Sequence, residues 1–245
     1  MKCNRSCVYC TSGKDWRDVT KSKMQKKKLE ISRIARLPGY NLQKFSFSGG
    51  GEPLLYMDRI SDWMKFLRQL NKNLPRKPWY YLYTNGILAD KKMLLRLRDL
   101  GFDEVRFHLG SSNFSKKVYK NVENAVAYFK AVTIETPAWP PHRKKLFEML
   151  PIIEAMGVKH VNIGEIEINR HNFLRILEAL PDAEIYAAHE VHMDDGGLVY
   201  DIFEEVIRKK YSYSVIDCSC FVKAIQRGKA GWITYRDLDG LFAEY

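Results

Sequence analysis

No stretch of this 245-residue chain approaches the roughly 18 consecutive apolar residues of a membrane span, which excludes a bilayer-spanning helix. Its first residues, Met1-Lys2-Cys3-Asn4-Arg5, lack the apolar core and small-residue cleavage site of a secretory signal, so a soluble protein in a reducing, cytoplasmic setting is expected. Linkers rich in Gly, Ser or Pro are missing, as are low-complexity segments and repeats of fixed period, and with them the signals of a separate second domain or a solenoid. Cysteine is scarce at five, an odd number, with three inside one eight-residue stretch; that count argues against a disulfide framework and suits metal ligation.

What is present is ordinary for a globular protein: 46% hydrophobic and 28% charged residues, in a length that a single α/β barrel can occupy. The charge is less balanced. With 40 Lys plus Arg against 29 Asp plus Glu, the formal charge of +11 favours an anionic partner such as a nucleic acid, a nucleotide or an acidic peptide. The densest basic run, Lys21 to Lys28, reads either as a solvated face or as one rim of a site, lying between the cysteines and the first predicted helix.

Short β-rich runs alternate with helical patterns, the signature of βα units around a parallel sheet. Strands are predicted over Lys44 to Ser48, Trp79 to Tyr83, Glu104 to Leu109, Val132 to Glu135 and His160 to Ile163, the last with a continuation toward Ile168. The first helix is predicted from Lys27 to Leu37, with Leu29, Ile31, Ile34 and Leu37 as its apolar stripe and Pro38-Gly39 as its stop. Further helices are expected over Met57 to Leu70, burying Ile60, Trp63, Met64, Phe66 and Leu67, over Asp90 to Leu100, over Ser115 to Lys130, and up to Met156, where Gly157 supplies the C-cap. One more strand ahead of the cysteines would make six. Only Met1 and Lys2 precede Cys3, so either the chain begins late, the barrel opens one strand short, or an alternative start was taken; a missing strand would leave an unpaired sheet edge near the cysteines. Beyond Arg170 the pattern loosens into a helix Phe173 to Leu180, a strand Glu184 to Ala188, a helix Leu198 to Lys209 and a strand Ser214 to Ile216. The expected organisation is a core over residues 1–170 with an α/β extension over residues 171–245 packed on it as part of the same domain.

Cys3-Asn-Arg-Ser-Cys7-Val-Tyr-Cys10 has the spacing C-x3-C-x2-C, which lets three thiolates on one loop converge on a metal centre. A cubane cluster normally takes four cysteines; with three, one iron keeps an open position where a ligand can bind. Spacing alone also admits zinc with a distant fourth ligand, or cysteines with a purely structural role.

This spacing, followed after a strand by Ser48-Gly49-Gly50-Gly51-Glu52-Pro53, resembles the radical S-adenosylmethionine (SAM) superfamily. The resemblance implies an α/β fold, a partial (β/α)6 barrel, with Cys3, Cys7 and Cys10 holding a [4Fe-4S] cluster whose fourth iron binds SAM. It further implies that Gly50, Gly51 and Glu52 meet the methionyl part of SAM, with Glu52 near the amino group, and that Tyr9 lies beside the adenine. The physical chemistry agrees, since glycine permits positive φ and close backbone approach while a carboxylate complements an ammonium. The implied reaction is reductive cleavage of SAM to methionine and a 5′-deoxyadenosyl radical that abstracts hydrogen from a substrate, with electrons from a donor such as ferredoxin or flavodoxin.

Other candidates follow from placement. Thr84-Asn85-Gly86 resembles a family motif in which Asn85 faces the cofactor, and taken alone it is a turn. Ligands of a parallel barrel sit at the C-terminal strand ends, and the resemblance carries Ser111 and Glu135 over to the ribose and amino-acid portions of SAM. His108 is a catalytic candidate as proton donor, or simply a strand-end histidine. Glu165 and Glu167 would share one face, and orient a substrate if that face is the lumen. Cys218 and Cys220 form a late C-x-C that reads as a buried or lid-forming pair, as a participant in substrate chemistry, or as ligands.

The substrate class stays open among RNA, peptide or protein, and small metabolites. No RNA-binding module and no second set of cluster ligands stand out, so a metabolite or short peptide is preferred. The competing non-enzyme reading is a protein whose cysteines hold zinc and whose basic face binds nucleic acid.

Overall fold

The computed structural model describes residues 2–12, 21–37, 43–72, 74, 76–187 and 191–219. The five predicted strands form as β1 (Lys44–Phe47), β2 (Trp79–Thr84), β3 (Glu104–Phe107), β4 (Ala131–Pro137) and β5 (His160–Gly164). They pair in chain order and in parallel, with Phe45 opposite Tyr80, Leu82 opposite Val105, Phe107 opposite Ile134 and Ile134 opposite Val161.

The continuation expected toward Ile168 leaves the sheet. β6 (Ile166–Glu167) joins β7 (Ile185–Ala187) and β8 (Val191–Met193) in a small antiparallel sheet of order β6-β8-β7. The sixth parallel strand is β9 (Ser214–Asp217), which pairs with β5 through Val161 opposite Val215. Six strands are therefore reached from the far end of the sequence, where a strand ahead of the cysteines was expected. Among the described residues β1 pairs with β2 alone and forms the opposite edge.

Among the described residues seven α-helices accompany the strands: α1 (Lys21–Ile34), α2 (Met57–Asn71), α3 (Lys91–Asp99), α4 (Lys116–Val126), α5 (Arg143–Met156), α6 (Phe173–Ala179) and α7 (Leu198–Lys209). Local chemistry sets several of their ends. The Asp90 carboxylate accepts from the Met93 amide at 2.8 Å to start α3, and Gly157 ends α5 at φ +78°, a region glycine enters without a Cβ clash. α1 departs from expectation because it begins at Lys21, so the basic run forms its first turns. Leu29 and Leu37 are 53% and 55% exposed, while Ile31 faces Phe45 and Phe47 across a groove beside β1. Pro38-Gly39, its expected stop, lies outside the described residues. In α2 the fully buried positions are Met57, Ile60, Met64 and Leu67, with Trp63 and Phe66 half-buried at its flank.

Strand alternation divides the sheet. Leu82, Val105, Phe107, Ile134, Val161 and Ile163 point to the helices and pack with residues such as Met64, Leu97, Val122, Leu150 and Ile202 in one core cluster. Each such side chain removed from water contributes about 1.5–3 kcal/mol. The other face carries Tyr81, Tyr83, Glu104, Arg106, Glu135 and Asn162, and so lines the lumen with polar groups. Among the described residues no helix is long and apolar enough to cross a membrane.

Candidate active site

All six strands of the parallel sheet end on one side, and there the loops after β1, β2, β3 and β5 meet the cysteine loop around a cavity of about 420 Å³. Cys3, Cys7 and Cys10 line it together with Gly49, Gly51, Glu52, Tyr83, Asn85, His108, Ser111, Glu165 and Glu167. Segments far apart in sequence are thus brought to one place, including the pair Glu165 and Glu167 expected to share a face.

The glycine-rich turn is built on conformations that suit glycine. Gly49 and Gly51 stand at φ +136° and +120° and border the cavity, whereas Gly50 is not among its lining residues. Glu52 follows as the cap of a 3₁₀ turn over Pro53–Tyr56 and is 1% exposed. Its Oε1 accepts from the Leu54 amide at 3.0 Å and from the Thr84 hydroxyl at 2.8 Å, and its Oε2 accepts from the Asn85 amide at 2.8 Å. Burial raises its pKa, an effect the three donors oppose. The Glu52 amide in turn donates to the Lys2 carbonyl at 3.0 Å, which ties the turn to the start of the cysteine loop.

Asn85 joins the same junction. Its Nδ2 donates to Asn4 Oδ1 at 2.6 Å and lies 3.9 Å from Cys3 Sγ, while its Oδ1 accepts from the Ile87 amide at 3.1 Å. At the end of β3, His108 Nδ1 accepts from the Ser111 amide at 3.1 Å, and burial lowers the imidazole pKa to about 4. The ring is therefore neutral with its proton on Nε2, a donor in the cavity wall. Ser111 returns its hydroxyl to the His108 carbonyl at 2.7 Å. The Tyr9 ring stacks on His108, centroids 5.8 Å apart and planes within 4°, and is 8% exposed. Gly110 makes room for it: a Cβ there would fall 2.8 Å from the Tyr9 hydroxyl.

Arg5, within the cysteine motif, and three residues outside every motif hold the cysteine loop in place. Arg5 Nε donates to the Ser111 carbonyl at 2.7 Å. From the other side Asn169 Nδ2 donates to the Thr11 carbonyl at 2.9 Å, Asn172 Nδ2 to the Tyr9 carbonyl at 3.1 Å, and Arg175 to the Cys7 and Cys10 carbonyls at 2.7 and 2.9 Å. Sequence reasoning missed all three. Their one signal is polar side chains at spacing i, i+3, i+6 entering α6, which marks one helix face but not what that face meets.

Glu135 lies deeper, outside the cavity lining. Its Oε1 accepts from Arg106 at 2.9 Å and from Asn162, and its pKa is raised by burial against the pull of Arg106. Arg106 also binds Glu104 at 2.6 Å and the Tyr83 hydroxyl at 3.1 Å, and Tyr83 reaches the cavity. Cys218 sits at the end of β9, its amide donating to the Ile163 carbonyl at 2.7 Å and its backbone pressed against Gly164; it is not among the lining residues. Cys220 lies outside the described residues.

The donor set can be weighed against an iron–sulfur cluster. The Cys7 thiol is pushed up to about 11, first by burial and then by Cys10 and Cys3, against the pull of Arg5 and Arg175. Ligation by Cys7 would require its thiolate, which a cationic centre beside it would favour. Among the described residues no three His, Cys, Asp or Glu converge as one ion demands, where Zn–S bonds of about 2.3 Å hold sulfurs within roughly 4 Å of one another. A cubane needs less convergence, since each thiolate takes its own iron. Three thiols on one loop beside the cavity supply the kind of donor that an iron–sulfur cluster takes.

The Radical SAM superfamily model matches residues 1–139. An uncharacterised protein of Methanocaldococcus jannaschii is 29% identical over 123 residues, 49% of this chain and 34% of that protein. Among solved structures, anSMEcpe with bound AdoMet and the Cp18Cys peptide superposes with a TM-score of 0.58 at 18% identity, over 87% of this chain and 60% of its own. SuiB of Streptococcus suis bound to S-adenosylmethionine gives 0.62 at 13% identity, over 99% of this chain and 53% of its own. At such identities these likenesses speak for the fold, and the chain spans between a third and three-fifths of the relatives' lengths. Since the family match extends over more than half the chain, across the cysteine loop, the glycine turn and the first four parallel strands, this chain belongs to the radical SAM superfamily.

Proposed function

We propose that the chain is a radical SAM enzyme in which Cys3, Cys7 and Cys10 hold a [4Fe-4S] cluster and the 420 Å³ cavity takes SAM and the reacting end of a peptide or small metabolite. The observation that carries this reading is the shared cavity, where the cysteines and the glycine turn face a common space. Bound there, a reduced cluster supplies the electron that breaks the sulfonium C–S bond of SAM, giving methionine and a 5′-deoxyadenosyl radical for hydrogen abstraction.

The chain's own residues position and shield. Gly49 to Gly51 let the backbone approach the methionyl group, and Glu52, with three of about four lone-pair sites spent on bracing the turn, keeps one on Oε2 for the ammonium. Asn85 directs an amide N–H toward Cys3 Sγ. His108 offers Nε2–H, and Ser111 fixes its tautomer. Tyr9 closes the wall on the adenine side and excludes water. Glu135 acts from below, holding Arg106 and through it Tyr83. Glu165 and Glu167 offer carboxylate acceptors to a substrate at the mouth.

A peptide substrate is favoured by the fold neighbours solved with peptides, anSMEcpe with Cp18Cys and SuiB with its precursor peptide SuiA. The formal charge of +11 favours RNA as a second substrate class, and equally suits an acidic electron donor such as flavodoxin or ferredoxin in a reducing cytoplasm. The test is anaerobic reconstitution with iron and sulfide, then SAM and dithionite, with 5′-deoxyadenosine as the readout. Product well above that of the triple variant C3A/C7A/C10A is expected. Colourless protein containing zinc in place of iron would overturn the reading, and deuterium transfer from labelled peptide or RNA into 5′-deoxyadenosine would separate the substrate classes.

A further inference from the structure

α6 and the turn leading into it meet the cysteine loop through apolar packing of Ile176 in one cluster with Tyr9, and through side chains that donate to the loop's backbone carbonyls. Asn169 takes Thr11, Asn172 takes Tyr9, and Arg175 takes both Cys7 and Cys10. Arg175 is itself held: its Nε and Nη2 donate to the His171 carbonyl at 3.1 and 2.8 Å, so the guanidinium is pinned to the turn that leads into its helix while Nη1 and Nη2 reach the two cysteines. Cys10 N also donates to the Cys7 carbonyl at 3.2 Å, and the fork thus closes over a turn that already brings these residues together. Asn172 is fully buried and donates besides to the Glu167 carbonyl at 2.8 Å, which links the clamp to the cavity's far wall.

We propose that α6 is a clamp on the cluster-bearing loop and that Arg175 is a positioning residue setting both how firmly Cys7 and Cys10 hold the cluster and the potential at which it is reduced. The inference deepens, and rests on, the cluster reading given above. A planar, permanently charged fork can bridge two carbonyls at fixed spacing, which an ammonium on a flexible stem cannot do. Its positive charge lies beside the ligand loop, and net charge and hydrogen bonding around a cluster set its potential. A half-buried cation favours the reduced, more negative state, so removing it lowers the midpoint potential.

The experiment uses the full chain, reconstituted anaerobically, with wild type beside R175M and R175K. Iron and sulfide content, the rate of iron loss to a chelator and the midpoint potential followed by electron paramagnetic resonance are read on each. R175M is expected to lose iron about tenfold faster, in line with other groups that orient metal ligands, and to show a more negative midpoint. R175K keeps the charge without the fork, so its midpoint should stay near wild type while its iron loss remains fast. A loaded R175M with wild-type midpoint and wild-type iron loss would overturn the inference. If R175M folds by circular dichroism yet takes up no cluster, the clamp is supported through R175K, and an R175K that retains iron as wild type does overturns it. A wild-type chain that binds no iron–sulfur cluster sinks the parent reading as well, whereas a loaded wild type with indifferent variants sinks this inference alone.

Discussion

The lumen and the cavity above it use polar side chains in opposite ways. In the lumen, Glu104 accepts from Trp79 at 2.8 Å, Arg106 at 2.6 Å and Thr133 at 2.7 Å, while Arg106 goes on to Glu135 and lies 4.2 Å over the Tyr81 ring. These groups satisfy one another and leave little for a ligand. Around the cysteine loop the pattern inverts: Arg5, Asn169, Asn172 and Arg175 bind backbone carbonyls, so the loop is held in shape while Cys3, Cys7 and Cys10 line the cavity. A network turned on itself makes a floor, in which Asn162 Oδ1 is buried without a hydrogen bond; a loop gripped by its backbone makes a site.

The sharpest break in that contrast is Cys7→Ala. Iron uptake and 5′-deoxyadenosine formation are expected to fall to background while circular dichroism stays unchanged, because the thiol is half-buried and lies outside the main core. A folded C7A protein that still cleaves SAM would contradict the assignment of the ligands. Next in size is Arg106→Met, which strands Glu104 and Glu135 in the lumen with side chains only 6% and 17% exposed. Loss of one partner of a buried pair costs about 3–5 kcal/mol, to be read from the urea midpoint, and iron uptake by the folded fraction should not change. An effect of the reverse kind, with stability intact and iron lost, would erase the distinction between floor and site.

The His108 wall gives a subtler test through pH. Its folded pKa, about 4, is depressed below the ordinary 6.5, so the stability it contributes is complete above pH 6.5 and is lost as pH falls through 4. A shift of that size corresponds to about 3 kcal/mol. His108→Asn keeps an acceptor near the Nδ1 position and should flatten the stability profile over that window; equal slopes for both proteins would mean the ring is not held neutral. Glu52 and Glu135 have raised pKa values, so each contributes the opposite sign, stability lost as pH rises through its folded pKa, and the wild-type minus H108N difference isolates the histidine. Smallest is Asp201→Ala, removing an ion pair with Arg143 between two side chains 40% and 53% exposed. Less than about 1 kcal/mol is expected by thermal denaturation, a baseline for what surface charge contributes.

Residues whose signal is local were readable in advance. Strict alternation in Lys44-Phe-Ser-Phe-Ser48 marks a strand because one face must be apolar, and it forms as β1. The helix Leu198–Lys209 matches its expected bounds because its apolar stripe is strong. α1 misled at its start because Lys21 to Lys28 shows little apolar periodicity, and its predicted stripe includes Leu29 and Leu37, which face water. At the site, the cysteines and the glycine turn were legible because their chemistry lies in contiguous residues. Glu135 was expected near SAM by resemblance alone, and its pairing with Arg106 had no local signal because that nearness depends on strand register.

The sequence by itself determined the βα rhythm, the loop that carries three thiols and the turn whose glycines reach positive φ, since each rests on neighbours along the chain. Tertiary structure alone decided that Ser214–Asp217 becomes the sixth strand beside β5, that Glu52 meets Thr84 and Asn85, and that Arg175 spans Cys7 and Cys10 from at least 165 residues away. Those contacts depend on which surfaces come to face one another once the core has packed, and no local pattern of residue types encodes that pairing.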